Sequence, residues 1–308
     1  MPSKTSGGRG SEEGVFHVLL TGFGPFRHYK ENPAWLAIKS LHNTILPMDP
    51  DSSFIDGKPL MREPKETKNR IIKVSAIEIP MEYEAVLQTV PGLHLRPPQL
   101  PEAVKNDVFP LPPDKGYDFI FHLGVAGRGY LRMEKSGHKL GYHMKDATGK
   151  LAPMVRGDLG RREDHVSVGD IGERERLSLE MVENAGAGDT YSARPNRGFG
   201  TGYEKFPDEL YTDIDVSRLI HDLRRSGVEQ IYSSMDAGHW LCDFIYYCSL
   251  AESKRNGNPY EKDRNTQVLF VHVPPVGQPL STEECTDAVK RIVTWVCSEI
   301  ADQQSDMV

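Results

Sequence analysis

Two cysteines stand six residues apart in "MDAGHWLCDFIYYCSL", Met235 to Leu250. Such a pair could form a bridge, share a metal, fill the core or include a nucleophile. Helical periodicity separates them. Over "WLCDFIYYCSLAES", Leu241, Phe244, Ile245 and Cys248 fall at i, i+3, i+4 and i+7, one apolar stripe. Cys248 belongs to that stripe and reads as a small core residue. Cys242 lies on another face, with the two Cα atoms ~9 Å apart along the helix, beyond disulfide reach. A shared metal is equally awkward. Cys242 falls in the first helical turn, after "DAG", where unpaired N–H groups favour a thiolate or an oxyanion. That is the placement of a nucleophile, although the residue type alone favours an inert buried thiol.

A thiol nucleophile needs a base and a group to orient the base. His272 and His122 both lie at or near the ends of apolar strands, and in an open parallel sheet both could face one crevice. Glu134, Asp146 and Asp236 are the candidate third groups, and spacing does not rank them.

The elements that must position these residues alternate. "VFHVLLT" (Val15–Thr21), "IIKVSAIEI" (Ile71–Ile79), "DFIFHLG" (Asp118–Gly124), "QIYSS" and "QVLFVHVPP" read as strands. "ENPAWLAIKSL", "MEYEAVLQTV", Ile214–Arg225 and a long terminal segment read as helices. Asn32 can cap the first, with Pro33 in its first turn. Ser281 with Glu284 resembles a capping box at the start of the last. The pattern predicts an α/β fold, a single domain over 15–303 with a mostly parallel twisted sheet flanked by helices on both faces. Ligand sites in such sheets lie at the carboxyl ends of strands. Residues 1–14 read as a disordered tail. Segments near 47–69, 93–115 and 156–203 read as insertions.

The chain has 308 residues, 26% of them charged, and a formal net charge of -7 without a long Lys/Arg block. Nucleic acid and acidic membrane surfaces are therefore excluded as partners. No apolar signal core and no bilayer-spanning segment is present, so a soluble cytoplasmic protein is expected. Four cysteines make no disulfide framework. Without CxxC or zinc-ligand spacing, no metal and no cofactor are expected. The sequence does not set an oligomeric state, and a monomer is the default.

Five segments in order, "LLTGFGPF…NPAW", "IEIPMEYEAV", "HLGVAG…MEKSGHKLGY", "DAGHWLCDFIYY" and "FVHVPPVGQP", resemble the pyroglutamyl peptidase I family of cysteine exopeptidases. The animal members look closer than the bacterial ones. The resemblance implies a catalytic Glu134, Cys242 and His272, and a lactam pocket using Phe23, Phe26 and Trp240. The substrate it implies is a peptide with N-terminal pyroglutamate. A neutral lactam suits an apolar slot with few polar contacts. Many members read "DAGRYLC", so His239 and Trp240 here replace Arg and Tyr, and a fixed charge beside the nucleophile is missing. The 156–203 stretch has no counterpart in the compact pattern. Two other readings compete: a catalytically silent binding protein on the same scaffold, and a nucleotide-binding module using "TGFGPF". The second is poor, because that loop lacks the third Gly of GxGxxG.

Overall fold

A computed structural model describes residues 14–48, 54–55, 58–59, 70–102, 109–155, 196–256 and 265–305. The tail read over 1–14 lies outside these up to residue 13. So do most of the 47–69 and 156–203 stretches, and residues 103–108 of the 93–115 stretch.

The main sheet is seven-stranded, in the order β10-β7-β11-β6-β1-β5-β2. Its four central strands are β11 (Gln267–Val273), β6 (Phe119–Val125), β1 (Val15–Phe23) and β5 (Ile71–Ile79), all parallel. The edges reverse. β2 (Thr44–Pro47) pairs antiparallel with β5, and β7 (Leu131–Glu134) antiparallel with β11, while β10 (Ile231–Ser234) follows β7 in parallel. Two small antiparallel pairs stand apart, β3 (Phe54–Ile55) with β4 (Lys58–Pro59) and β8 (Ser136–His138) with the sequence-distant β9 (Glu209–Tyr211). The expected α/β architecture is observed. The short strands β2, β7, β8 and β9 are additions that the apolar-run pattern does not show.

Helices cover both faces. α1 (Pro33–Lys39), α3 (Val216–Arg225) and α5 (Thr282–Ser305) share one apolar cluster with Val18, Leu20, Phe121 and Val271. α2 (Tyr83–Leu93) and α4 (Leu241–Asn256) share the other with Leu19, Ile120 and Phe270. The caps behave as the sequence predicts. Ala34 N donates to Asn32 Oδ1 at 3.1 Å. At α5, Glu284 N donates to Ser281 Oγ (3.1 Å) and Ser281 N to Glu284 Oε2 (2.7 Å), a reciprocal box. Among the described residues, no helix is long and apolar enough to cross a membrane.

α4 departs from a one-sided stripe, because Leu241–Ser253 is buried on every side. The β8–β9 pair and residues 199–206 close over the face turned away from the sheet. An added Cβ on Gly137 would lie 2.8 Å from Tyr247 N, so β8 rests directly on the helix backbone. Phe199 stacks on Phe244 with centroids 4.2 Å apart, and Tyr203 Oη donates to Glu252 at 2.6 Å. Phe199 and Tyr203, read with the long insertion, therefore belong to the packed core.

Two histidines are locked into this core. His122 Nδ1 lies 2.7 Å from Thr21 Oγ1 and His94 Nε2 lies 2.8 Å from Ser249 Oγ. Burial holds both well below the ordinary range, to about 3, and each ring has one further nitrogen with no partner. Folded, both stay neutral while the unfolded chain takes protons below about pH 6.5. Their contribution to stability is thus complete above pH 6.5 and is lost as pH falls. At pH 5 the loss is roughly 2 kcal/mol for each ring. Urea unfolding at pH 8 and pH 5 should differ by roughly 4 kcal/mol from this pair. His94→Gln should remove about half of that difference.

Candidate active site

Period-2 alternation decides which strand residues face α4. Leu131 and Met133 belong to the α1/α3/α5 cluster, as do Leu269 and Val271, whereas Val268 and Phe270 face α4. Arg132, Glu134 and His272 therefore turn to the side that carries Cys242. The antiparallel junction pairs Phe270 with Glu134 and His272 with Arg132, setting Glu134 and His272 diagonally adjacent.

His272 Nδ1 lies 2.7 Å from Glu134 Oε1. The same oxygen accepts from Arg132 Nε at 2.8 Å, and Glu134 Oε2 is buried without a partner. Arg132 Nη2 stands 3.3 Å from His272 Nδ1. Since Nδ1–H is donated to Glu134, the guanidinium acts on the ring as a neighbouring charge. This assigns the proton of the neutral ring to Nδ1 and leaves Nε2 as the basic nitrogen. Tyr246 Oη donates to the Glu134 carbonyl at 2.9 Å, bracing β7 from α4.

Cys242 is the second residue of α4 and 7% exposed. Its sulfur lies over the end of β6. A Cβ on Gly124 would be 2.7 Å from Cys242 Sγ and 2.7 Å from Phe270 Cζ, so only glycine leaves room there. Gly124 is also the register partner of His272. The chain enters α4 through Gly238 (φ 95°) and His239 (φ 39°), two successive left-handed residues. Asp243, wholly buried, fixes the helix start by accepting from His138 N at 3.0 Å and Tyr142 Oη at 3.3 Å.

The helix terminus does not by itself yield a thiolate. Burial pushes the Cys242 thiol up to about 12, against a lowering by Arg132. Burial also lowers His272, which the Glu134 hydrogen bond only partly offsets. At rest the site holds a neutral thiol and a neutral imidazole, and among the described residues no hydrogen bond joins the two. The expectation that the N-terminus stabilises a thiolate is corrected here: desolvation is the larger effect.

The three aromatic candidates converge on the same side. Phe23, at the end of β1, is 1% exposed and shares a core cluster with Cys242. Phe26 and Trp240 pack on that cluster with ring centroids 4.7 Å apart. Trp240 Nε1 donates to the Lys145 carbonyl at 3.1 Å. Asn32 Nδ2 donates to the Gly24 carbonyl at 3.1 Å, tying the Phe-bearing loop to the cap of α1.

The other candidates go elsewhere. Asp146 accepts from Thr148 N and Lys150 N within its own turn, and Asp236 from Gly238 N. His122 pairs with Thr21. Sequence reasoning missed Arg132, although it precedes Glu134 by two residues and must share its strand face. It puts a guanidinium near the thiol, where the residue at 239 supplies none. Arg132→Met should raise the thiol further, because it removes a charge that lowers it. Alkylation of Cys242 at pH 8, followed by mass spectrometry, should slow about tenfold. An unchanged rate in a folded variant would show that Arg132 does not act on the sulfur.

The site of this α/β protein thus sets a thiol at a helix start, over a mainly parallel sheet and on the face that carries a histidine–carboxylate pair. No protein-family model matches the chain. It is similar to pyroglutamyl-peptidase 1 of Mus musculus, 22% identical over 293 residues, 94% of each chain. It is 24% identical to pyroglutamyl-peptidase 1 of Homo sapiens over 279 residues, 90% of this chain and 87% of the human one. The fold is shared with pyroglutamyl peptidase I of Bacillus amyloliquefaciens, with TM-score 0.51, 18% identity and 91% and 95% of the two chains covered. It is shared also with a variant pyrrolidone carboxyl peptidase of Pyrococcus furiosus, with TM-score 0.53, 18% identity and 92% and 99% covered. Over most of its length the chain is thus similar to pyroglutamyl peptidases and shares their fold.

Proposed function

We propose that the protein is a cysteine omega-peptidase that releases pyroglutamate from the N-terminus of peptides. Cys242 is the nucleophile, His272 the base and Glu134 the group that orients His272. As Sγ attacks the pyroglutamyl carbonyl carbon, its proton passes to His272 Nε2. The same nitrogen then protonates the departing amine as the C–N bond breaks. Water hydrolyses the resulting thioester, again giving its proton to His272. The oxyanion meets first-turn N–H groups of α4, which have no partner inside the helix.

A neutral thiol–imidazole pair suits this sequence of steps, because the proton moves only when sulfur bonds to carbon. Glu134 then faces an imidazolium instead of a neutral ring, so its interaction is strongest after proton transfer. Phe23, Phe26 and Trp240 form the lactam slot. The observation that most supports the reading is the Glu134–His272 pair, 2.7 Å apart, on the face that carries Cys242. We place the protein in the cytosol, where a reducing setting keeps its free thiols active.

The test is a panel of aminocoumarin amides. Pyroglutamyl-aminocoumarin should release its fluorophore, whereas the glutamyl and prolyl compounds should not. The glutamyl group carries a charged amine and carboxylate that an apolar slot does not solvate, and proline lacks the lactam carbonyl. Equal release from prolyl-aminocoumarin would overturn the pocket. No release from any of the three would favour a silent binding protein.

A further inference from the structure

Beside the proposed active site, His138, His239 and Asp243 bring one ligand atom each within 4.8 Å of one another. They come from three elements: His138 from β8, His239 from the loop before α4 and Asp243 from α4. No local spacing could reveal them, since the fold alone joins position 138 to the 239–243 segment. We propose that these three side chains form a binding site for a divalent transition metal, with Zn²⁺ the best match.

The two separations measured from Asp243 suit a tetrahedral ion. His138 Nδ1 lies 3.1 Å and His239 Nδ1 3.6 Å from Asp243 Oδ2. Ligands at Zn–N and Zn–O distances of about 2.0–2.1 Å in a tetrahedron stand about 3.3 Å apart. Two imidazoles and a carboxylate suit zinc better than calcium or magnesium, which favour oxygen.

The surrounding groups are those that orient metal ligands. The other ring nitrogen of His138, Nε2, faces Glu209 Oε1 at 3.8 Å. The Asp243 carboxylate is held by His138 N and Tyr142 Oη. The two imidazoles lie face to tilted face, centroids 4.6 Å apart, and both are partly open to solvent while Asp243 is sealed. A water or an outside ligand can therefore complete the coordination from the solvent side.

His239 is held at φ 39°, a left-handed conformation that costs a non-glycine residue energy. Its ring lies against Gly141, where an added Cβ would be 2.9 Å from Nδ1. Without an ion, Nδ1–H donates to the Leu140 carbonyl at 3.1 Å, a bond that a metal taking Nδ1 would replace, with the ring proton moving to Nε2. The strained backbone thus aims a ring nitrogen into a cluster of oxygen and nitrogen donors. An ion here would tie β8 to the start of the helix that carries Cys242.

The experiment uses the full chain with Cys242→Ser, so that the reactive thiol cannot take the metal. Zn²⁺ alone is titrated by calorimetry, and Co²⁺ is added in parallel to record its visible d–d bands. One equivalent of Zn²⁺ should bind, and Co²⁺ should give the intense bands of a tetrahedral site. Glu209→Gln should weaken Zn²⁺ by about 10-fold or more. His239→Arg, a change at a half-buried loop position, should weaken it further and abolish the cobalt bands. His239→Ala provides a second variant should arginine perturb the loop, and melting curves verify the fold of each. Absence of stoichiometric binding, or binding that both His239 variants leave unchanged, would overturn the site.

Discussion

Cys242→Ala should hydrolyse pyroglutamyl-aminocoumarin at least about 10⁴-fold more slowly than the unchanged protein, with folding preserved. Loss of a covalent nucleophile removes the acyl-enzyme route and leaves only binding and oxyanion contacts. The sulfur occupies a small space between Gly124 and the Phe270 ring. Changing CH2–SH to CH3 opens little volume, so a stability change of about 1 kcal/mol is expected. Activity and melting temperature measured on one preparation separate the two effects. Retained activity would mean that another group attacks the substrate.

Glu134→Gln should lower kcat/KM by about 10²–10⁴ with little change in KM. A glutamine can still accept from Nδ1–H, but it brings no charge to meet the imidazolium. Glu134 also raises His272, so without its charge His272 becomes a weaker base. A second consequence follows from Arg132, whose Nε donates to Glu134 at 2.8 Å. The neutral amide leaves that partly buried guanidinium without a counter-ion, which destabilises by about 3 kcal/mol. Combining Glu134→Gln with Arg132→Met removes the stranded charge. The double variant should regain most of the lost stability and none of the lost activity. Recovery of activity together with stability would reduce Glu134 to a structural anchor.

The central strands were legible because they are buried on both faces and read as unbroken apolar runs. β5 spans Ile71–Ile79, the bounds its sequence predicts. Capping residues marked α1 and α5 for equally local reasons. The site residues were harder. β7 is four residues long and carries Arg132 and Glu134 on one face, so polarity hides it from a search for apolar runs. Its antiparallel seat beside β11 is a long-range fact, yet that seat is what joins Glu134 to His272. Asp146 and Asp236 could not be set aside until their own turns were seen to use them.

Two further features depend on solvent exclusion. α4 looked amphipathic, but Tyr142 and Phe199 pack on Phe244 of its apolar stripe, while Cys242 and Tyr246, off that stripe, turn to the sheet at Gly124 and Phe270. The seat over Gly124 and Phe270 buries Cys242, and that burial outweighs the effect that the helix terminus would have on its thiol. Depth of burial is a property of the assembled layers, and a local reading of "DAGHWLC" contains no measure of it.

The central claim is that Cys242 meets pyroglutamyl groups in a slot made for the lactam. Labelling the full chain with pyroglutamyl chloromethyl ketone, followed by peptide mass spectrometry, tests it directly. One adduct should form, on Cys242, with chloride lost, and it should be absent from Cys242→Ala and strongly reduced in His272→Ala. The prolyl reagent at equal concentration should leave the protein unlabelled. An adduct on Cys248, Cys285 or Cys297 in place of Cys242, or equal labelling by the prolyl reagent, would contradict the account.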